Sequence, residues 1–302
     1  MIEAIPNERS SLWYGFLGIL IFSLTLPATR FAVVDFSPTF VGLGRALVAA
    51  VFAAILLFAT KQTFPQRKHF LGFAIVVVGV IVGFPLLSSW AMQSLPASHG
   101  AIVIGLLPLA TALAGVLRGG ERPSIWFWLA AICGSTIVVA FAIYESAGLV
   151  PGDAFLLLAV VFAASGYAEG GVLSRIYGGW QVICWALLLS APFLILPVAL
   201  SITQSYAKAS LASWLAFFYV SLFSMFIGFF AWYKGLAIGG IARVGQVQLL
   251  QPFLTIFASA LLLSETIKLT TIFAAGLVLI VAVLGRRAPI LKCKQLQNYP
   301  AL

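Results

Sequence analysis

The sequence predicts an all-α integral membrane protein with ten transmembrane helices, arranged as two inverted five-helix repeats. The chain has 302 residues, of which 62% are hydrophobic and only 8% are charged, whereas a soluble domain carries about 25% charged residues. Its apolar runs have the length of membrane helices, which need about 20 residues, and they are too long and continuous for barrel strands. A motif that occurs once in each half of the chain predicts the inverted arrangement.

The predicted spans follow one another with short loops, so that no soluble domain is inserted. Proline and glycine separate the apolar runs at Ser37-Pro38, Pro65, Pro96, Pro123 and 148–152, as is typical of turns. The first run has no small-residue cleavage site, and we interpret it as a membrane helix and not as a signal peptide. The ten predicted spans are 12–34, 38–60, 70–92, 97–117, 124–143, 153–174, 180–203, 211–234, 242–263 and 267–285.

Lysine and arginine residues predict the orientation of the spans, because they are concentrated in cytoplasmic loops. The loops that would lie outside contain only Lys208 and Lys268, and Arg30 and Arg45 fall within spans and are not counted. Both termini are therefore expected in the cytoplasm, with the protein in the cell inner membrane. The basic residues assigned to the cytoplasmic side are Arg9, Lys61, Arg67, Lys68, Arg118, Arg122, Arg175, Lys234, Arg243, Arg286, Arg287, Lys292 and Lys294.

The repeated motif reads PLATALAGVLRGGE in residues 108–121 and PFLTIFASALLLSE in residues 252–265. The copies lie in predicted spans four and nine, which are an odd number of spans apart and so cross the membrane in opposite directions. Inverted repeats are typical of secondary transporters, whose substrate site lies near the midplane between the halves. We therefore divide the chain into a first repeat, 1–147, and a second repeat, 148–302, which ends in a short cytoplasmic tail. The aligned pairs are Pro108/Pro252, Thr111/Thr255, Ala114/Ala258, Leu117/Leu261 and Glu121/Glu265.

The motifs of several other protein classes are missing from the sequence. The formal charge of +9 does not indicate nucleic-acid binding, because the basic residues lie singly at the ends of apolar runs. The chain has no GxxxxGK[ST] phosphate loop, no HExxH and no GxSxG, and its three cysteines have no disulfide or metal-binding spacing. We expect no cofactor, no metal and no enzyme activity.

The alternative to a transporter is a membrane-embedded enzyme or a lipid-handling protein. Such a protein needs a polar cluster at one membrane interface. The candidates are Glu121, Arg118 and Arg122, which are better interpreted as a charged cytoplasmic loop.

Two prolines and one carboxylate are the first candidates for the substrate site. Pro108 and Pro252 lie near the middle of their spans, where a proline either adjusts helix packing or frees backbone groups toward a cavity. Glu169 lies within predicted span six among glycines, in SGYAEGG. Because an ionisable group at this depth is costly, Glu169 forms an ion pair, with Lys234 or Arg243, or binds an ammonium group or a coupling proton, or extends its carboxylate to the inner surface.

Amide and aromatic side chains complete the candidates. Gln248 and Gln251 are three residues apart and share a helix face, so they either link helices or contact substrate. Trp90, Tyr167 and Trp232 have polar or glycine neighbours, and we assign them to the cavity. The other tryptophans are expected at the membrane interfaces.

The chain resembles the bacterial drug/metabolite transporters of the EamA type over residues 12–286. The resemblance rests on the two five-span halves, on Pro27–Arg30 with Ser37-Pro38 and Arg45-Ala46, and on the two Pro…Glu blocks. It implies export of amino acids or other small metabolites, with aromatic amino-acid exporters and threonine/homoserine-type exporters as matches. It also implies a cavity formed by spans one, three, four, six, eight and nine. The expected partners are a small-molecule substrate and the lipid bilayer, and the sequence is compatible with a monomer. The positions that the resemblance assigns to the cavity are Ser23, Thr25, Trp90, Tyr167, Glu169, Trp232 and Gln248.

Overall fold

The protein is almost entirely helical in the computed structural model, which describes residues 8–146, 151–266, 268–286 and 290–292. Two strands of three residues, β1 (Glu121–Pro123) and β2 (Ile290–Lys292), pair antiparallel. The α-helices are α1 Glu8–Ser23, α2 Thr25–Asp35, α3 Arg45–Ala59, α4 Phe70–Val76, α5 Phe84–Ser94, α6 Ala97–Ile104, α7 Leu107–Gly119, α8 Ile125–Ser146, α9 Pro151–Tyr177, α10 Gly179–Ser201, α11 Leu211–Phe218, α12 Gly228–Gly239, α13 Ile241–Gly245, α14 Gln251–Leu263 and α15 Leu269–Arg286.

Eight helical segments of the described residues are long and apolar enough to cross a membrane. Helices α8 and α15 occupy the positions of predicted spans five and ten and pack against each other; that these two also cross the membrane stays a prediction. In the predicted numbering the eight are span 1 Arg9–Asp35, span 2 Phe40–Ala59, span 3 Arg67–Ser94, span 4 Ala97–Gly119, span 6 Pro151–Tyr177, span 7 Gly179–Ser201, span 8 Leu211–Gly239 and span 9 Ile241–Leu263.

Large apolar side chains cover the outside of this bundle. Phe193 and Leu200 in span 7 are each 79% exposed, and Leu117 in span 4 is 74% exposed. A water-soluble protein rarely presents extended apolar surface, whereas lipid tails are a favourable environment for it. The exposed side chains therefore agree with the membrane location that the composition predicts.

Three spans contain π-helical turns. These segments are Phe40–Gly44 at the start of span 2, Val77–Gly83 in span 3 and Tyr219–Ile227 in span 8. Wider turns of this kind re-aim the side chains that follow and are frequent at functional sites. Arg45 comes directly after the first of them.

Span 6 packs closely on its neighbours because small residues line its surface. A Cβ atom at Gly79 of span 3 would lie 2.9 Å from Gly166 Cα, and one at Gly170 would lie 2.2 Å from Tyr233 Cζ of span 8. Only glycine permits such approaches without displacing a neighbour. The glycines of SGYAEGG are therefore explained by helix packing on both sides of span 6.

Spans 4 and 9 share the same internal plan. Each is interrupted near its middle, and a thirteen-residue helix then begins with proline at its second position, Pro108 in α7 and Pro252 in α14. Proline is well tolerated at this place because the first N–H groups of a helix have no intrahelical acceptor. Each helix ends at a residue with left-handed backbone, Gly120 (φ 62°) and Ser264 (φ 55°).

The glutamate that follows each of these spans binds the beginning of the other span. Both carboxylate oxygens of Glu121 accept backbone N–H bonds of 2.6 Å, one from Ile241 and one from Ala242. The Glu265 carboxylate accepts the N–H groups of Ala97 and Ser98 at 3.0 and 3.1 Å. Carboxylates satisfy the free N–H groups and the positive end of a helix dipole. Because each span ends beside the start of the other, spans 4 and 9 run antiparallel.

Candidate functional site

A small cavity lies inside the helical bundle and is lined by residues from both halves of the chain. Its volume is about 20 Å³, enough for about one water molecule. A solute can therefore enter only if the helices or their side chains move apart. The lining residues are Phe22 and Thr25 of span 1, Arg45 of span 2, Val80 and Phe84 of span 3, Tyr167 of span 6, Ser224 and Phe229 of span 8, and Gln251 of span 9.

Arg45 is the charged residue of this lining. The whole residue is 1% exposed, and its Nε and Nη2 atoms have no hydrogen-bond partner. An arginine at the centre of a membrane helix costs about 2.5–3.5 kcal/mol on insertion scales, and an unpaired buried charge adds to that cost. Such a side chain is typical of a site that acts on a ligand.

Hydroxyl groups connect the halves next to this arginine. Thr25 Oγ1 and Ser224 Oγ share a hydrogen bond of 2.8 Å between spans 1 and 8. Thr255 Oγ1 donates to the backbone oxygen of Ser23 at 2.8 Å, which joins spans 9 and 1. Both bonds cross from the first half to the second, so that relative movement of the halves exchanges polar contacts and not only apolar ones.

Aromatic rings form one wall of the cavity. The Phe22 ring stacks on Tyr167 with 6.4 Å between the centroids and lies 5.0 Å from Phe229. Trp232 is fully buried behind them, 5.3 Å from Tyr167, and its indole N–H has no partner. Such a cluster offers a flat apolar surface with polar atoms at its edge.

The structure brings several predicted site residues to this region. Thr25, Tyr167 and Gln251 line the cavity, and Trp232 packs directly behind its wall. Gln248 Nε2 donates to Thr111 Oγ1 at 3.2 Å between spans 9 and 4, while its Oε1 has no partner. Gln248 thus links two helices and keeps one free acceptor.

Three further predicted residues are not among the lining residues. Ser23 Oγ donates to the backbone oxygen of Leu20 at 2.6 Å, within its own helix. Pro108 and Pro252 are buried at the starts of α7 and α14. The prolines therefore mark the helix breaks of spans 4 and 9.

Trp90 and Glu169 lie elsewhere. Trp90 is 38% exposed and packs its ring on Phe155 at 5.6 Å. Glu169 is buried and paired with Arg118, whose Nε and Nη2 atoms both lie 2.7 Å from its Oε2. The predicted ion pair of Glu169 is therefore made with Arg118 and not with the predicted Lys234 or Arg243. The reason is that the last turn of α7, which bears Arg118, packs against α9.

Polar pairs hold span 4 against span 6 near both ends. One end has the His99–Asp153 contact, 2.6 Å between Nε2 and Oδ1, and the other has the Arg118–Glu169 pair. Glu121 adds a longer contact to Arg175, at 3.6 Å.

The polar cluster of the enzyme alternative is divided in the structure. Both oxygens of Glu121 accept backbone N–H groups of span 9, and the Arg118 guanidinium binds Glu169. These two side chains are used to join helices and do not converge on a common point.

Sequence reasoning missed six of the nine lining side chains. A charged residue within a predicted span indicates a functional site, but Arg45 was left out of the orientation argument and used only for the family resemblance. The other five look like ordinary apolar or small helix residues, and only the fold brings them together. The missed residues are Phe22, Arg45, Val80, Phe84, Ser224 and Phe229.

Comparison with known proteins identifies the family of the chain and a solved structure with a similar fold. The model of the EamA-like transporter family matches twice, over residues 9–143 and 150–285. A solved structure described as "Crystal structure of protein" has a TM-score of 0.73 at 17% identity, covering 92% of this chain and 99% of that one. The two family matches confirm the resemblance that the sequence suggests.

Two curated proteins are also similar. The Bacillus subtilis (strain 168) protein named "Uncharacterized transporter YdeK" is 48% identical over 264 residues, which cover 86% of this chain and 92% of that protein. The "Probable terminal-alkyne amino-acid exporter" of Streptantibioticus cattleyicolor is 25% identical over 229 residues, 74% of this chain and 75% of that protein. With both halves matched by the family model, the chain is a membrane transporter that belongs to the EamA-like transporter family.

Proposed function

We propose that this protein is a secondary transporter that exports small organic metabolites, amino acids and aromatic amino acids in particular, by alternating access. The observation that carries the proposal is the cavity that both halves line: spans 1, 2 and 3 on one side and spans 6, 8 and 9 on the other. A site shared by two halves is exposed to either membrane face by their relative rocking.

The antiparallel course of spans 4 and 9 supports an inverted repeat. The two family matches divide the chain near its middle, in agreement with halves 1–147 and 148–302. The residue register that pairs Pro108 with Pro252 also pairs Glu121 with Glu265, and it pairs their hydrogen-bond donors as well. In this proposal α8 and α15 complete the two halves as the fifth and tenth transmembrane helices.

Amino acids are the substrate class that the cavity and one relative favour. The relative from Streptantibioticus cattleyicolor is named an amino-acid exporter. The lining combines the aromatic surfaces of Phe22, Tyr167 and Phe229 with a guanidinium and hydroxyl groups. This combination suits a solute that has an apolar side chain and a charged group, as an amino acid does.

The orientation follows from the basic residues. With both termini in the cytoplasm, the Arg118–Glu169 pair and Glu121 lie toward the inside, and His99–Asp153 and Glu265 lie toward the outside. The inner-membrane location and the outward direction of transport belong to the same proposal. Direction rests on the name of the exporter relative.

Flux into and out of liposomes tests the proposal. Purified protein in sealed vesicles should move labelled phenylalanine, tryptophan and threonine without ATP, faster than vesicles that lack protein. An imposed proton gradient should show whether flux is coupled to protons. The proposed function would be refuted if no member of a broad panel of amino acids and other small metabolites moved faster than in empty vesicles.

A further inference from the structure

We propose that Arg45 forms a carboxylate-binding site inside the cavity, where its guanidinium holds the acid group of the solute. This inference rests on the proposed transport function and specifies the chemistry of the same site. It predicts that solutes are selected by their carboxylate and that neutral or purely cationic analogues are excluded.

The first argument is that Arg45 has no counter-charge in the part of the chain that the structure describes. Arginine stays charged in proteins, and a buried charge is stable only when something pairs with it. Five described carboxylates bind groups other than Arg45: Asp35 binds Ser210, Glu121 binds Ile241 and Ala242, Asp153 binds His99, Glu169 binds Arg118, and Glu265 binds Ala97.

The second argument is that the residue with these unpartnered atoms is one of the residues that line the cavity. The residue is 1% exposed, lines the cavity, and leaves Nε and Nη2 without a partner. A guanidinium presents its N–H groups as a planar fork that binds the two oxygens of a carboxylate. The unsatisfied donors are therefore of the kind that an acid group would satisfy.

The third argument is the arrangement of the other lining groups. Thr25 and Ser224 offer hydroxyl oxygens from opposite halves, 2.8 Å apart, and Gln251 offers an amide. The rings of Phe22 and Phe229 lie on the same lining. A bound amino acid would place its carboxylate on Arg45 and its apolar side chain against the rings.

Four related probes separate the acid group from the rest of the solute. L-phenylalanine carries a carboxylate and an ammonium group, 3-phenylpropanoate only the carboxylate, and phenylalaninamide and phenethylamine only the ammonium group. The measurement is the unfolding temperature of the purified full chain in detergent, titrated with each probe. A ligand of the folded state raises this temperature, and the rise grows with the logarithm of the ligand concentration divided by Kd. Both carboxylates should raise the unfolding temperature, and the amide and the amine should not.

Substitution of Arg45 tests the residue itself. Arg45→Met should weaken binding of both carboxylates about tenfold or more, since a hydrogen-bonded charge is lost from the site, and Arg45→Lys should keep part of the affinity. Arg67→Gln, at an exposed arginine outside the cavity, is the matched control and should bind as wild type. Without ligand, Arg45→Met should unfold at the same or a higher temperature, because it removes an unpaired buried charge.

Each outcome decides one of the two proposals. Equal effects of the amide and the acid, or full carboxylate binding by Arg45→Met, would overturn the Arg45 site and leave the transport proposal standing. A lower unfolding temperature for unliganded Arg45→Met, with binding intact, would show a structural role. Carboxylate-dependent binding without any flux in liposomes would support the site and refute transport. Equal stabilisation by sodium chloride or phosphate would reassign the site to inorganic anions and overturn the proposal.

Discussion

Glu121 and Glu265 make reciprocal contacts between the antiparallel spans 4 and 9. Glu121 follows span 4 and accepts two N–H groups at the beginning of span 9, and Glu265 follows span 9 and accepts two N–H groups at the beginning of span 4. The two contacts are unequal. Glu121 is 2% exposed with two bonds of 2.6 Å, whereas Glu265 is partly exposed with bonds of 3.0 and 3.1 Å. Charge-assisted bonds to a helix N-terminus are stronger when they are shorter and less hydrated.

Glu121→Gln should therefore destabilise the protein more than Glu265→Gln. A glutamine has one acceptor oxygen, so that one of the two N–H groups would face an amide NH2 and lose its partner. We expect a loss of about 1.5–3 kcal/mol for Glu121→Gln and a smaller loss for Glu265→Gln, measured as unfolding of the purified protein. Equal losses would show that the difference in burial between the two carboxylates does not affect the free energy of unfolding.

The Arg118–Glu169 pair should respond asymmetrically to substitution. The Arg118 side chain is 52% exposed and the Glu169 side chain is 6% exposed. Glu169→Gln leaves an arginine that water can solvate, whereas Arg118→Gln leaves a buried carboxylate without its charge partner, which is the costlier change. Unfolding temperatures should fall further for Arg118→Gln, and the opposite order would contradict this interpretation.

Glu169→Gln also tests whether this carboxylate takes part in transport. We expect a folded protein that loses flux or its response to an imposed pH gradient, because the pair with Arg118 that joins spans 4 and 6 would lose its negative charge. Liposome flux and unfolding temperature should be measured on the same preparation. Wild-type flux with wild-type pH response would remove Glu169 from the mechanism.

Gly170→Ala should disrupt the packing of spans 6 and 8. The added Cβ would lie 2.2 Å from Tyr233 Cζ, inside a buried contact that has no room to relax, and overpacking of this kind costs about 1–3 kcal/mol or more. Gly276→Ala in α15 is the matched control, since no atom lies within 4 Å of its new Cβ. The control should be neutral or slightly stabilising because alanine favours helix. A tolerated Gly170→Ala would mean that the helices are further apart than described.

Thiol labelling of whole cells tests the orientation. In a cysteine-free background, Ser205→Cys, between spans 7 and 8, should react with a membrane-impermeant reagent in intact cells. Thr63→Cys, between spans 2 and 3, should react only after the membrane is opened. Both positions are exposed, so that accessibility differs only through the side of the membrane. The reverse pattern would overturn the proposed cytoplasmic location of the termini.

Hydropathy predicted the eight membrane-length segments well because a lipid-exposed backbone must form its own hydrogen bonds and therefore stays helical. Predicted span nine, 242–263, matches Ile241–Leu263 nearly residue for residue. The π-helical turns were not predictable, since Tyr219–Ile227 contains neither proline nor glycine and looks like uninterrupted helix.

The site was predicted less completely than the helices. Gln251 was found from its polar character within a span, Tyr167 from its polar and glycine neighbours, and Thr25 from the family resemblance. The partner of Glu169, in contrast, depends on how α7 and α9 are rotated against each other. Rotation and approach are tertiary properties that no local pattern of residues records. Arg45 differs from these, because its charge within a span was visible in the sequence.

The small volume of the cavity has a consequence for the membrane potential of the cell. Polar contacts join spans 4 and 6 near both ends, and the cavity that the other spans line holds about one water molecule. A continuous water-filled route would let protons flow down the membrane potential, which is worth about 2.3 kcal/mol per charge at 100 mV. Under the proposed alternating access, one end opens only after the other has closed, so that solute is released without dissipating the membrane potential.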